Sequence, residues 1–292
     1  MSTEGPDLFE RIVCGVDGTP ESLEAVRQAA RLRLSGSHVH LFSAVYLAGA
    51  VASQWPQARI EWELQHDAGD AIEQARAIAG AATTRIVNGP PVQSLLEELR
   101  RERASLLCVG SHSRHRLAHV VADHVATALA PGIVAGHVAT TMLHEAPCPV
   151  LIARPPREGR VFPAVIVVGI DGSPSSAIAY QIGRELAERF GSSVVPVTGC
   201  GGMKYVDSDG LLGEYPELRL DERRPLEAVL AASANADLVI LGSRGARGIR
   251  ALGSISESVG HLARCSVLVV RGIEIPTTCP VRHEVVGAGA AY

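Results

Sequence analysis

The stretch Ile12-Val-Cys-Gly-Val-Asp-Gly-Thr-Pro20 recurs later in the chain as Ile166-Val-Val-Gly-Ile-Asp-Gly-Ser-Pro174. In both copies a short apolar run is broken by glycine and aspartate, and a helix can begin at the proline that follows. The chain has 292 residues, which is enough for two ordinary domains. The recurrence therefore predicts one domain built twice.

Two further blocks recur in the same order. Leu106-Leu-Cys-Val-Gly-Ser is matched by Leu238-Val-Ile-Leu-Gly-Ser, and the apolar runs Val150–Ala153 and Val267–Val270 close the two copies. Strand-like runs alternate with helical periodicity, a pattern that is typical of a parallel sheet with helices on both faces. We predict an α/β fold of two tandem, open, five-stranded parallel sheets.

The domain boundaries follow from composition. We expect a first half over residues 1–157, a second half over 158–275 and a flexible tail over 276–292. In the first half, the second crossover helix is predicted over Asp67–Ala82. The matching stretch of the second half, residues 199–216, is rich in glycine, proline and aspartate, so its helix is predicted to be lost or very short.

Composition excludes several classes of function. The net charge is −4 and no long basic stretch occurs, which argues against an extended nucleic-acid or anionic-membrane surface. No apolar run is long enough to span a membrane. None of the six cysteines forms a Cys-x-x-Cys pair. We therefore expect a cytoplasmic protein in a reducing compartment.

The strongest site signal is the loop that follows the fourth strand of the second half, from Gly242 to Ser254. Glycines allow backbone N–H groups to approach an anion, and a helix N-terminus adds unpaired donors. Such a loop at the carboxyl end of a parallel strand lies where open α/β sheets bind ligands. By spacing alone, a plain turn with Ser254 as a helix cap remains an equal alternative.

Together, these blocks resemble a tandem universal stress protein over nearly the whole chain, from Arg11 to Gly272. The resemblance implies Rossmann-like domains of the adenine-nucleotide α-hydrolase type that pair as dimers. It also implies that some members bind adenine nucleotides through Gly-x2-Gly-x9-Gly-Ser/Thr. The two halves are then expected to pair inside the chain through Val150–Ala153 and Val267–Val270.

The resemblance also assigns site residues in the second half. Gly242, Gly245, Gly253 and Ser254 match the phosphate-binding loop, although seven residues rather than nine separate Gly245 from Gly253. Two further positions match residues beside the nucleotide: Asp171, after the first strand, and Val197, whose backbone would lie near adenine. Read from chemistry alone, Asp171 is a turn former.

The first half departs from this pattern. Gly110 is present, but Ser113 stands at the second glycine position and a long segment follows it. We therefore predict a first half that binds nucleotide weakly or not at all. Asp17 is retained there, so an aspartate at this position does not by itself indicate binding.

Histidines are concentrated in the same part of the first half, where six of the eleven lie between His112 and His144. His115 and His119 have the i, i+4 spacing of two metal ligands on one helix face, with His112 or Asp123 as a third. Solvated helix histidines are the favoured interpretation, and no metal site is predicted.

These observations support a cytoplasmic stress-response protein whose second half binds ATP or a related adenine nucleotide, with or without Mg²⁺, as a sensor or regulator. No catalytic set stands out, and the Walker lysine is absent. Two alternatives stay open: a nucleotide-free interaction module of the same fold, and a slow ATP hydrolase. Protein partners are not specified by the sequence, and a homodimer is compatible with it.

Overall fold

The computed structural model describes residues 8–46, 57–111, 137–157, 159–201, 208–243 and 255–271. Within these ranges the chain forms one sheet of ten strands with helices packed on both faces. No helix in the described part of the chain is both long and apolar enough to cross a membrane. The predicted α/β fold class is confirmed.

In its described residues, the first half contains β1 (Arg11–Gly15), α1 (Pro20–Leu32), β2 (His38–Val45), α2 (Gln57–Ala79), β3 (Thr83–Asn88), α3 (Pro91–Arg101), β4 (Leu106–Gly110), α4 (His137–Glu145) and β5 (Val150–Ala153). The predicted start of α1 is confirmed. The side chain of Thr19 caps the helix by accepting a hydrogen bond of 3.2 Å from the amide of Ser22.

The second half, where it is described, contains β6 (Val165–Gly169), α5 (Pro174–Phe190), β7 (Ser193–Gly199), α6 (Ser208–Glu214), β8 (Arg219–Asp221), α7 (Pro225–Ser233), β9 (Leu238–Gly242), α8 (Ile255–Leu262) and β10 (Ser266–Val270). Ser173 caps α5 as Thr19 caps α1. The crossover helix α6 has seven residues where α2 has 23, so the predicted shortening is confirmed.

One helix boundary was predicted wrongly. Helix α2 begins at Gln57, ten residues before the predicted Asp67. Among its described side chains, those of residues 61–63 are not buried and Trp62 is 64% exposed, whereas Leu64, Ala68 and Ala71 are buried. In this described part, the apolar face from which a helix is inferred begins at Leu64.

The two halves share one continuous sheet. Its strand order is β3-β2-β1-β4-β5-β10-β9-β6-β7-β8, with parallel pairing inside each half. The halves meet where β10 pairs antiparallel with β5, and Leu268 lies opposite Leu151. The predicted pairing through Val150–Ala153 and Val267–Val270 is confirmed. Because all four residues of β5 and all five of β10 are buried, the junction is part of the core.

Hydrophobic cores lie on both faces of the sheet and run across both halves. Helices α1, α2 and α5 cover one face, and α3, α4, α7 and α8 cover the other. The side chains are mainly aliphatic, as the buried strands of parallel sheets require. Because the second core runs across the junction, α4 of the first half packs against α8 of the second half.

Two arginines at corresponding positions hold the halves together. Arg154, which follows β5, donates to the carbonyl oxygens of Cys265 at 3.1 Å and Gly260 at 2.6 Å in the second half. Arg271, which follows β10, donates to the carbonyl oxygen of Ala146 in the first half at 3.3 Å. A cation at the end of a helix complements the unpaired carbonyls there. Each half thus caps the last helix of the other.

A buried charge cluster fixes α3 against β2 in the first half. The Glu98 carboxylate is 2.7 Å from Nε2 of His40 and accepts hydrogen bonds from Arg101 and Arg85. Burial raises the pKa of Glu98, but the hydrogen bond from Arg101 and the charges of Arg101, His40 and Arg85 outweigh it, so the pKa lies below the ordinary value. The ionised form is therefore favoured in the folded state.

We expect the Glu98→Gln variant to be about 2 kcal/mol less stable at neutral pH, because hydrogen bonds to a charged acceptor are weakened. A lowered folded-state pKa contributes stability above the unfolded-state pKa and loses it as the pH falls through the folded-state pKa. Denaturant unfolding at pH 7, 5 and 3 should thus show a smaller acid loss in the variant. An equal acid loss in both proteins would contradict this assignment.

Candidate functional site

The strand order creates a topological switch point in the second half. From β6 the chain moves outward through β7 and β8, then returns to place β9 on the other side of β6. In open α/β sheets, ligands bind in the crevice at the carboxyl ends of the strands at such a point. Gly169 and Gly242 end the two strands that flank this crevice.

A cavity of about 420 Å³ lies at this edge of the sheet. This volume falls within the roughly 300–1,000 Å³ that is usual for small-molecule sites. Its walls come from the ends of β6, β7, β9 and β10 and from the starts of α5, α7 and α8. Asp171, Val197 and Gly242 all line it. Three residues that were predicted from separate motifs thus meet at one cavity.

Asp171 has a structural contact as well as a position on the cavity wall. One oxygen of its carboxylate accepts hydrogen bonds from the backbone amide and the hydroxyl of Ser173, at 3.0 and 2.5 Å. Asp17 makes the same two contacts with Thr19 in the first half, at 3.0 and 2.6 Å. Both aspartates therefore form the turn that precedes the helix. Asp171 also lines the cavity.

Val197 lies opposite Gly169 in the pairing of β7 with β6, and its side chain is buried. The corresponding pair in the first half is Gly15 and Phe42. Phe42 is also buried, so the larger ring occupies the space that corresponds to the cavity wall at Val197. The sequence reasoning missed Phe42, because no repeated block covers the second strands and only the strand register aligns Phe42 with Val197.

Gly242 is required by packing. A Cβ atom at this position would overlap the carbonyl carbon and oxygen of Ser175 and would lie 2.7 Å from the amide nitrogen of Ser176. Gly110 in the first half approaches helix α1 in the same way, with a built Cβ 2.8 Å from the amide nitrogen of Ser22. The first glycine of the loop therefore serves the close contact between strand and helix in both halves.

Helix α8 forms the side of the cavity at which the predicted phosphate loop ends. The hydroxyl of Ser256 donates to the carbonyl oxygen of Gly242 at 3.3 Å, which ties the first turn of α8 to the end of β9. Glu257 and Arg271 also line the cavity and bring charges of both signs. The remaining predicted loop residues, Gly245, Gly253 and Ser254, lie outside the described residues, as does Ser113.

The first half also contributes to this cavity, which the sequence reasoning missed. Leu143 and His144, at the end of α4, line it. His144 ends the histidine-rich region, and its side chain is only 15% exposed. The packing of α4 against α8 buries it, a contact that no signal in the sequence indicates. His112, His115, His119 and Asp123 lie outside the described residues.

Metal-ligating side chains come together at one place in the described residues, remote from the cavity. His38, His40 and Glu102 bring one ligand atom each within 4.8 Å of one another. His40 is already held by Glu98 and by Thr83, whose hydroxyl lies 2.7 Å from Nδ1. This group lies towards the amino end of β2, the opposite edge of the sheet from the cavity.

Two of the buried cysteines, Cys148 and Cys265, offer little nucleophilic character. All five cysteines in the described residues are free. Burial raises the pKa of the Cys148 and Cys265 thiols to about 12, and the neighbouring Arg271 and Arg154 offset this only in part. Protonated thiols in apolar surroundings behave as small hydrophobic side chains.

Comparisons with known proteins agree with this architecture. A sequence model described as the universal stress protein family matches residues 8–154 and 214–271, which is most of the chain. Universal stress protein Rv2005c of Mycobacterium tuberculosis is 29% identical, over 89% of this chain and 96% of the relative. A universal stress protein of Mycolicibacterium smegmatis is 27% identical, over 89% and 96% respectively.

Solved structures show the same fold. A universal stress protein from Archaeoglobus fulgidus superposes with a TM-score of 0.66 at 18% sequence identity, covering 90% of this chain and 96% of that one. At this level of identity the likeness supports the fold and the tandem arrangement of the chain, and it carries no information about ligands.

Proposed function

Because the chain belongs to the universal stress protein family, we propose that its second half binds ATP or a related adenine nucleotide. The observation that carries the proposal is the cavity at the switch point, where Asp171, Val197 and Gly242 converge. In this proposal the protein is a cytoplasmic sensor or regulator in the stress response. Binding would change an interaction or the stability of the chain rather than drive turnover.

The walls of the cavity match the parts of a nucleotide. Val197, Val229 and Leu241 give an apolar crevice that suits a purine base. In this proposal the carboxylate of Asp171 accepts hydrogen bonds from the ribose hydroxyls. The loop after Gly242 and the first turn of α8 would hold the phosphates through backbone N–H groups, with Gly245, Gly253 and Ser254 in the roles that the family pattern assigns them.

The proposal assigns this function to the second half alone. Phe42 replaces Val197 in the first half. Leu95 occupies the place that corresponds to Val229, since a Cβ atom built on the glycine at the end of the first strand would lie 3.8 Å from Leu95 in the first half and 3.6 Å from Val229 in the second. Larger side chains at both positions leave less room for a base. We therefore expect one nucleotide per chain.

Calorimetric titration and thermal melting with Mg-ATP test the proposal. We expect one site per chain, and a stabilisation of about 2.7 kcal/mol at a hundred times the dissociation constant. GTP should bind more weakly if the base is recognised. No heat and no shift at millimolar nucleotide would favour the nucleotide-free interaction module instead. Two sites per chain would contradict the assignment to the second half.

Phosphate release from ATP over several hours, measured with the same protein, separates binding from slow hydrolysis. Fast phosphoryl transfer in P-loop enzymes uses the Walker lysine and a positioned water or base, and the sequence lacks that lysine. We expect stoichiometric binding with less than one turnover in that time. Repeated turnover that follows the occupancy of the site would support the hydrolase alternative.

A further inference from the structure

The cavity is shared between the two halves of the chain. Its second-half walls are closed on one side by Leu143 and His144 of α4, which belongs to the first half. The helices approach closely there, because a Cβ atom built at Gly260 of α8 would lie 2.8 Å from a methyl carbon of Leu143. The halves cannot separate at this place without opening the cavity.

A histidine of the first half lies close to a glutamate of the second half across the boundary between the halves. Nε2 of His144 lies 3.3 Å from Oε1 of Glu257, and both side chains are only 15% exposed. Glu257 lies in the first turn of α8, three residues after Ser254 at the end of the predicted phosphate loop. Because Glu257 lines the cavity, its carboxylate opposes the binding of a phosphate there unless its charge is offset.

We infer that His144 is a positioning residue for nucleotide binding by the second half: its imidazole faces the Glu257 carboxylate across the boundary of the halves and, when protonated, offsets its charge, so that the cavity accepts a polyphosphate. This inference rests on the proposed nucleotide site. It makes full-affinity binding depend on the pairing of the halves, since the first half supplies this residue to the second-half cavity. The first half then contributes to binding although its own loop departs from the family pattern.

The internal repeat provides a comparison. Counting back from Ala146 and Ala263, His144 corresponds to His261, and Glu257 corresponds to Thr140. Nε2 of His261 lies 3.1 Å from the hydroxyl oxygen of Thr140, so the cross-half histidine contact exists in both directions. Only the contact at the second-half cavity involves a carboxylate. His261 is therefore a matched control for His144.

The test is calorimetric titration of the full chain with Mg-ATP and, separately, with adenosine. We expect His144→Ala to weaken ATP binding about tenfold, which is in the usual range for coupling between sites. Adenosine carries no phosphate, so its affinity should change little. The His261→Ala variant should bind both ligands as the unaltered chain does.

The double variant His144→Ala with Glu257→Gln decides the mechanism. Removing the negative charge should restore ATP affinity to within about twofold of the unaltered chain, because nothing remains for His144 to offset. Failure of Glu257→Gln to restore binding, or an equal loss for adenosine, would overturn the inference. Unaltered affinity in His144→Ala would overturn it as well, while leaving the proposed function intact. No ATP binding by the unaltered chain would overturn both.

Discussion

Replacing Val197 with phenylalanine is expected to abolish nucleotide binding while leaving the fold intact. The substitution copies Phe42, which already occupies the corresponding position opposite the glycine of the first strand in the other half. The ring would extend into the crevice that we assign to the base. At a ligand concentration that stabilises the unaltered chain by about 2.7 kcal/mol, the variant should be stabilised by less than about 0.5 kcal/mol.

The measurement is thermal melting with and without Mg-ATP, supported by calorimetric titration. Val195→Phe is the matched control, because it adds the same bulk on the same strand two residues earlier, at a position that does not line the cavity. The control should keep the nucleotide shift. A Val197→Phe protein that folds normally and still binds ATP at full affinity would place the base elsewhere and remove Phe42 as the reason for the asymmetry between the halves.

Much of the fold could be predicted because the sequence contains two copies of the same domain, which can be compared with each other. The repeated blocks locate the first, fourth and fifth strands twice, and the apolar runs Val150–Ala153 and Val267–Val270 are too hydrophobic to remain at a free edge. Helix α2 was predicted to begin ten residues too late, and the side chains described just before Leu64, at residues 61–63, are not buried. Local periodicity reports burial, so it does not reveal helical residues that face solvent.

Some residues of the candidate site were predicted from the sequence, and others were not. Asp171, Val197 and Gly242 were predicted from the family resemblance, and all three line one cavity because each lies at or just after the carboxyl end of a strand. His144 could not be predicted, since its place depends on how α4 packs against α8 across the junction of the halves. No spacing within either copy encodes that contact. The asymmetry at Phe42 needed only the strand register, which the sequence blocks do not state.

Gly242→Ala is expected to destabilise the protein by about 3 kcal/mol or more, whatever ligand is present. Overpacking a side chain usually costs about 1–3 kcal/mol, and here the added Cβ meets backbone atoms of Ser175 and Ser176 that cannot move without shifting helix α5. Denaturant unfolding without nucleotide measures this loss. Gly69→Ala, inside α2 with open space around the added atom, is the control and should be neutral or up to about 1 kcal/mol more stable.

The Gly110→Ala variant tests whether the first glycine of the loop serves the packing of strand against helix or the binding of phosphate. Gly110 meets the backbone of α1 as Gly242 meets that of α5, although the first half lacks the other loop glycines. If the glycine serves the packing of strand against helix, both variants lose stability to a similar degree. If it serves phosphate alone, Gly110→Ala should be tolerated and Gly242→Ala should affect only binding. Because the clash is present in both halves, we expect the first outcome, and the nucleotide-specific part of the motif is then left to Gly245, Gly253 and Ser254.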